Sequence, residues 1–184
     1  QRIFVLTAVQ SQVDTTLAYL RKTIGSLPVE IIRTATPVGP VLAEWIRKPD
    51  SRPDNMTISG HAVLQSLYDK TQISCKDADL ESQQIIALMD NTDLPMCPVA
   101  LTTQWSDIGS FVIATHDPRA EFFLIKGIKF SSEFRQKAAE NSNAEDRLAE
   151  FDASFFLCTT TISLLIDTLL SAMSSSQAQP GDNT

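Results

Sequence analysis

The sequence predicts an α+β domain in which several helices pack on a small, partly antiparallel sheet closed by a long C-terminal amphipathic helix. Three observations support this prediction. Apolar residues recur every three or four residues in the middle and at the end of the chain, as on one face of a helix. Short β-branched runs separated by turn formers lie between residues 97 and 130. A capping box directly precedes the last periodic stretch.

The first segment has two interpretations. As a strand, residues 2–9 would precede a helix over residues 13–24 and a second strand over residues 29–35, which makes a βαβ opening. As a helix, the same residues would continue one amphipathic stripe that ends before Pro28. We prefer the strand, because β-branched and aromatic residues crowd the first half of the segment.

The middle of the chain is predicted to be helical. Four prolines interrupt residues 34–55, and the polar composition of residues 48–56 indicates a possible hinge. Apolar spacing predicts helices over residues 41–48, 59–70 and 79–90.

Three strands are expected after these helices, at residues 97–103, 111–115 and 121–130. The last two are joined by a segment that contains Asp117 and Pro118, residues that favour a tight turn. An antiparallel hairpin is therefore predicted.

The last helix is predicted over residues 145–173, after a capping box of Ser142 and Glu145. Its apolar residues form a heptad seam, and neighbouring apolar residues make that seam wider than one facing helix covers. We expect this helix to contribute to an interface as well as to the core. The predicted interface residues are Phe155, Phe156, Ile162, Leu164, Leu165, Leu169, Leu170 and Met173. Residues 1–173 are expected to form a single domain, and residues 174–184 a flexible tail.

Charge and composition restrict the expected partners. The 184 residues carry a formal net charge of -7, and the lysines and arginines are scattered along the sequence. Such a chain repels phosphate, so nucleic acid is not expected as a partner. The last helix is long enough to span a bilayer, but Asp167 and many hydroxyl groups disfavour a membrane partner. The three cysteines form no C-x-x-C pair, which favours reduced thiols and a cytoplasmic or other intracellular location.

No catalytic residue, metal site or cofactor is predicted. The six glycines form neither a G-x-G-x-x-G nor a P-loop motif. Cys97 with His61 or His116 is the one possible thiol–imidazole dyad, and no nucleophile motif surrounds this cysteine. Whether the protein is an enzyme stays open at this stage, with a non-enzyme favoured.

The preferred function is therefore a non-enzymatic assembly or interaction protein, either a homo-oligomer or a subunit of a larger complex. It would self-associate or dock a protein partner through its C-terminal helix. The alternative is a small-ligand-sensing or hydrolytic α/β domain. That alternative would use Gln10, Ser11 and Gln12, in the loop after the first strand, as its ligand-binding residues.

Overall fold

The computed structural model describes residue 3 and residues 10–106, 108–140 and 147–175. Two compact units are present, residues 1–32 and residues 33–184. The preferred first strand falls almost entirely outside the described residues, as do the capping box and most of the predicted tail. The single-domain organisation with a hinge at residues 48–56 stays a prediction.

The first unit contains helix α1, Gln10–Ile24. The helix ends at Gly25, whose φ of 82° lies in the left-handed region and whose amide donates to the Arg21 carbonyl at 2.9 Å. The predicted helix over residues 13–24 is confirmed. The expected strand over residues 29–35 is not formed, because these residues pair with none of the five described strands. The Thr34 amide does donate to the Glu121 carbonyl at 2.7 Å, but Glu121 lies before β5 begins. The second strand of the predicted βαβ opening is therefore wrong.

The second unit contains a five-stranded sheet and the remaining helices. Its strands are β1 (Met56–Ser66), β2 (Gln72–Cys75), β3 (Met96–Trp105), β4 (Gly109–Ala114) and β5 (Leu124–Phe130). All neighbouring strands are antiparallel, in the order β2-β1-β3-β4-β5. Its helices are α2 (Val38–Arg47), a 3-10 turn (Pro49–Ser51), α3 (Gln83–Met89), α4 (Ser132–Glu140) and α5 (Arg147–Ser175). The predicted α+β class with a long C-terminal helix is confirmed.

The helix predicted over residues 59–70 is wrong, because most of that segment belongs to β1. The apolar spacing there also fits a strand, and β1 has a partner on each side, β2 and β3. Pairing on both edges satisfies its backbone groups and overrides local helix preference. Strand β2 was not predicted, because its four residues are too few to show a pattern.

The hairpin predicted from Asp117 and Pro118 is confirmed, since β4 and β5 pair antiparallel from Ala114 opposite Leu124 onward. The loop between them is longer than a tight turn and reaches the start of α2. There the amide of Gly39 donates to the Pro118 carbonyl at 3.0 Å. Helix α2 has no side-chain N-cap, so this loop supplies acceptors for its first amides.

One face of the sheet forms the core. Its strand residues pack against α2 and the second half of α5, and the fully buried side chains come from all three parts: Leu42, Ile46, Leu64, Leu101, Ile113, Leu169 and Met173. The polar segment around residues 48–56 is fastened to this core, because the Arg52 guanidinium donates to the Trp45 carbonyl at 2.7 Å and to Glu81 at 2.6 Å.

Candidate functional site

The opposite face of the sheet carries polar side chains. Along β4, Phe111 and Ile113 are buried, whereas Ser110 and Val112 are half-exposed, as the alternation of a strand requires. Residues directly opposite each other in an antiparallel pair point to the same face. The strand register therefore identifies the neighbours of Ser110 and Val112.

Two rows of side chains cross this face. The first row runs over four strands, and the second follows it two residues further along β4. The first row is Thr57, Gln104, Ser110 and Lys129. The second row is Thr102, Val112 and Lys126. We call these seven residues the open sheet face. Each of them is exposed or half-exposed, and both lysines are exposed.

The charge of the strands differs from that of the chain. The five described strands contain no aspartate or glutamate, and their lysines and arginines are Lys126 and Lys129. Two lysines and no acid give these strands a formal charge of +2, whereas all 184 residues together carry -7. The acidic residues of the described chain thus lie on helices and loops, and the open sheet face is locally basic.

Both lysines lie on the open sheet face because β5 contains a bulge. Between the pairs Ser110–Lys129 and Val112–Lys126, β4 has one residue and β5 has two. Gly127 has a φ of 59°, a left-handed conformation that glycine adopts without steric cost. The extra residue restores the alternation so that Lys126 and Lys129, three positions apart, face the same side.

A second glycine allows β5 to lie close to β4. Gly109 has a φ of 149°, and a Cβ atom built there would collide with the Lys129 carbonyl oxygen. The absence of a side chain at Gly109 therefore permits the close approach of the Lys129 backbone.

The residues predicted for a small ligand are placed differently from the expectation. Gln10, Ser11 and Gln12 begin α1 and lie within its first turn. The carbonyls of Ser11 and Gln12 accept hydrogen bonds from Thr15 and Thr16 at 2.7 Å. These residues are helical, so the expected loop between a strand and a helix is not present at residues 10–12.

The eight predicted interface residues fall into two groups. Four are buried in the core beneath the sheet, namely Ile162, Leu165, Leu169 and Met173. Three are more than half exposed, namely Phe155, Phe156 and Leu164, and Leu170 is half-buried. The four buried residues are covered by the rest of the chain. In this structure only the other four could contribute to an interface with a partner.

The exposed residues continue the buried stripe of α5. Leu148, Phe151 and Phe155 keep the spacing of three and four residues that leads on to Ile162 and Leu165. The sheet covers the second half of this stripe and leaves the first half exposed. The rings of Phe151 and Phe155 stack with centroids 6.0 Å apart. By length and composition Phe151–Ser174 could also cross a membrane, although its second half packs on the sheet.

The described residues contain no group of three or more His, Cys, Asp or Glu side chains that could hold a metal ion. Cys97 is buried, and this burial raises the pKa of its thiol to about 11, with Arg47 lowering it slightly and Asp117 raising it further. Such a thiol is a poor nucleophile. His61 lies near Asp77, not Cys97, with Nε2 and Oδ1 3.6 Å apart.

The fold and this face define an α+β protein with a basic, polar sheet surface in an otherwise acidic chain. The family described as "Putative exonuclease, RdgC" matches residues 1–176. The chain therefore belongs to the RdgC family.

Curated relatives carry the name "Recombination-associated protein RdgC". The protein of Haemophilus influenzae (strain PittGG) is 30% identical over 177 residues, which cover 96% of this chain and 55% of the relative. That of Yersinia enterocolitica is 31% identical, covering 93% of this chain and 53% of the relative. That of Tolumonas auensis is 32% identical, covering 90% and 52%. The chain thus spans about half the length of these relatives.

The expectation that nucleic acid is excluded as a partner is wrong. An exonuclease acts on nucleic acid, and recombination is a process of DNA, so the family description and the names of the relatives both contradict it. The physical reason is that net charge averages over the whole surface, whereas binding depends on local charge. The absence of acidic residues from the described strands could not be seen in the overall charge, because it becomes visible only when the strands are known.

Proposed function

We propose that this chain is a nucleic-acid-binding part of a recombination-associated protein and that the open sheet face is its binding surface. The observation that supports this most is the alignment of Lys126 and Lys129 on strands without any acidic residue. The family description and the names of the relatives support the same ligand class.

The chemistry of the face suits a phosphate backbone. Lysine ammonium groups neutralise phosphates and release their counterions. The hydroxyl and amide groups of Thr57, Gln104 and Ser110 lie in the same row as Lys129 and can donate hydrogen bonds to phosphate or sugar oxygens. Backbone contacts of this kind give affinity and orientation, so the proposed role of these residues is binding and not cleavage. The proposal places the protein inside the cell, where DNA recombines.

The test compares two double variants by fluorescence anisotropy with labelled DNA over a range of salt concentrations. Lys126→Gln with Lys129→Gln removes the proposed contacts. Lys70→Gln with Lys137→Gln removes the same charge from exposed positions outside the strands. The first variant should bind DNA more weakly. The slope of its log binding constant against log salt concentration should be shallower by about 2.

The control should keep the slope of the unmodified protein. Equal losses in both double variants, or none in either, would contradict the proposed surface. Incubation of end-labelled DNA with the protein and Mg²⁺ tests the binding role separately. Nucleotide release that co-purifies with the protein, and that the variant Lys126→Gln with Lys129→Gln loses even at saturating DNA, would contradict a purely binding role for this face.

A second proposal concerns the exposed half of the α5 stripe, which supports self-association between two copies of the chain. Exposed aromatic surface of this extent is uncommon on monomers. Phe156 lies beside this stripe, and it and Tyr68 are both 71% exposed, so Phe156→Ser and Tyr68→Ser form a matched pair. Light scattering should show a smaller species for Phe156→Ser alone. A wild-type chain that is monomeric at high concentration would contradict this proposal.

A further inference from the structure

We infer that Gly127 is a positioning residue whose bulge lets Lys126 and Lys129 hold two neighbouring phosphates of one nucleic-acid strand. This inference rests on the proposed function of the open sheet face. It adds the arrangement of the ligand on that face and names the residue that creates the arrangement.

The pleat of a strand gives the first step. Side chains three positions apart in a regular strand point to opposite faces. Without the bulge, one of the two lysines would therefore turn toward the core face, where Phe111, Ile128 and Phe130 lie beside α5. The second residue of the bulge, Ile128, packs against that core. Lys126 and Lys129 thus face the open side while Ile128 faces the core, and the left-handed conformation of Gly127 makes this arrangement possible.

The spacing of the two lysines gives the second step. Lys129 lies opposite Ser110 and Lys126 lies opposite Val112, two residues apart on β4. Two residues of an antiparallel strand span about 7 Å. Consecutive phosphates on one nucleic-acid strand have a comparable separation. A strand running along β5 can therefore offer one phosphate to each lysine.

The surroundings of Gly127 make the inference testable. No heavy atom lies within 4 Å of a Cβ atom built on Gly127, so a side chain there meets open space. A substitution consequently changes the backbone preference and little else. Asparagine accepts a left-handed φ, whereas a β-branched residue strongly resists it.

The experiment compares three variants by the same salt-dependent DNA binding. Gly127→Val should disrupt the bulge and lose one phosphate contact, which makes the salt slope shallower by about 1. Gly127→Asn should keep the slope of the unmodified protein. Deletion of Gly127 removes the extra residue, so regular alternation again places both lysines on one face. The deletion variant should also keep the original slope.

The results distinguish a failure of the proposed role of Gly127 from a failure of the proposed binding surface. If Gly127→Val keeps the full slope while Lys126→Gln with Lys129→Gln loses it, the role of Gly127 is wrong and the binding surface stands. If the double lysine variant has no effect, the proposed function itself fails. Urea denaturation shows which variants are folded. If Gly127→Val does not fold, the deletion variant remains decisive, because a folded deletion variant with a reduced slope overturns the inference.

Discussion

The Thr36 hydroxyl donates a 2.7 Å hydrogen bond to the main-chain carbonyl of Met173, and both residues are buried. Met173 lies in the last turn of α5, where carbonyl groups have no partner within the helix. A side chain just before α2 therefore supplies the donor for a carbonyl in the last turn of a helix, 137 positions away in sequence. This contact joins the two helices that cover the core face of the sheet.

Removal of this hydroxyl should destabilise the protein. In Thr36→Val the buried carbonyl of Met173 loses its donor, which costs about 1–3 kcal/mol of unfolding free energy. Thr168→Val is the matched control, because its hydroxyl bonds to a carbonyl of its own helix, that of Leu164. The control should change stability by less than about 0.5 kcal/mol in urea titrations. Equal effects of the two substitutions would show that the link to α5 is unimportant.

Arg52 should matter more than its ion-pair partner. The side chain of Arg52 is 9% exposed and that of Glu81 is 45% exposed. Arg52→Met leaves the Trp45 carbonyl without its donor and should cost about 1.5–3 kcal/mol. Glu81→Gln removes only a solvated charge and should cost about 0–1 kcal/mol. Chemical denaturation of both variants measures the difference. Equal costs would mean that the ion pair, and not the backbone contact, fastens residues 48–56.

The two halves of α5 should respond differently to truncation. Leu169 is fully buried, so Leu169→Ala should lower the unfolding free energy by about 2–5 kcal/mol. Phe156 is exposed, so Phe156→Ala should change it by less than about 0.5 kcal/mol at protein concentrations where the chain is monomeric. Thermal and urea unfolding followed by circular dichroism provide the measurement. A large loss for Phe156→Ala in the monomer would mean that its ring is covered within the chain.

Cys97 should react slowly with alkylating reagents. The thiolate is the reactive form, and with a pKa of about 11 it makes up roughly one part in ten thousand at neutral pH. Cys158 is half-exposed on α5 and should react first. Mass spectrometry of the native protein after timed treatment with iodoacetamide gives both rates. Labelling of Cys97 as fast as Cys158 would contradict this assignment, and rapid labelling after denaturation provides the control.

Local patterns predicted the elements in which sequence and structure agree. Strands β3, β4 and β5 have β-branched runs bounded by turn residues, and α5 has an unbroken apolar period. In contrast, residues 59–70 had an apolar spacing that fits either a helix or a strand, and only pairing with β2 and β3 decided the outcome. The candidate site was not predictable in this way, since its seven residues come from four strands.

By itself, the sequence determined the α+β class, the hairpin of β4 and β5, and the long apolar stripe of α5, because each depends on residues close together in the chain. Only the tertiary structure decided which half of that stripe is buried, since the sheet covers Leu169 and leaves Phe155 exposed. It also decided the charge of the open sheet face. The bulge at Gly127 and the register of β4 with β5 bring Lys126 and Lys129 to one side, and register is a relation between strands that no single segment contains.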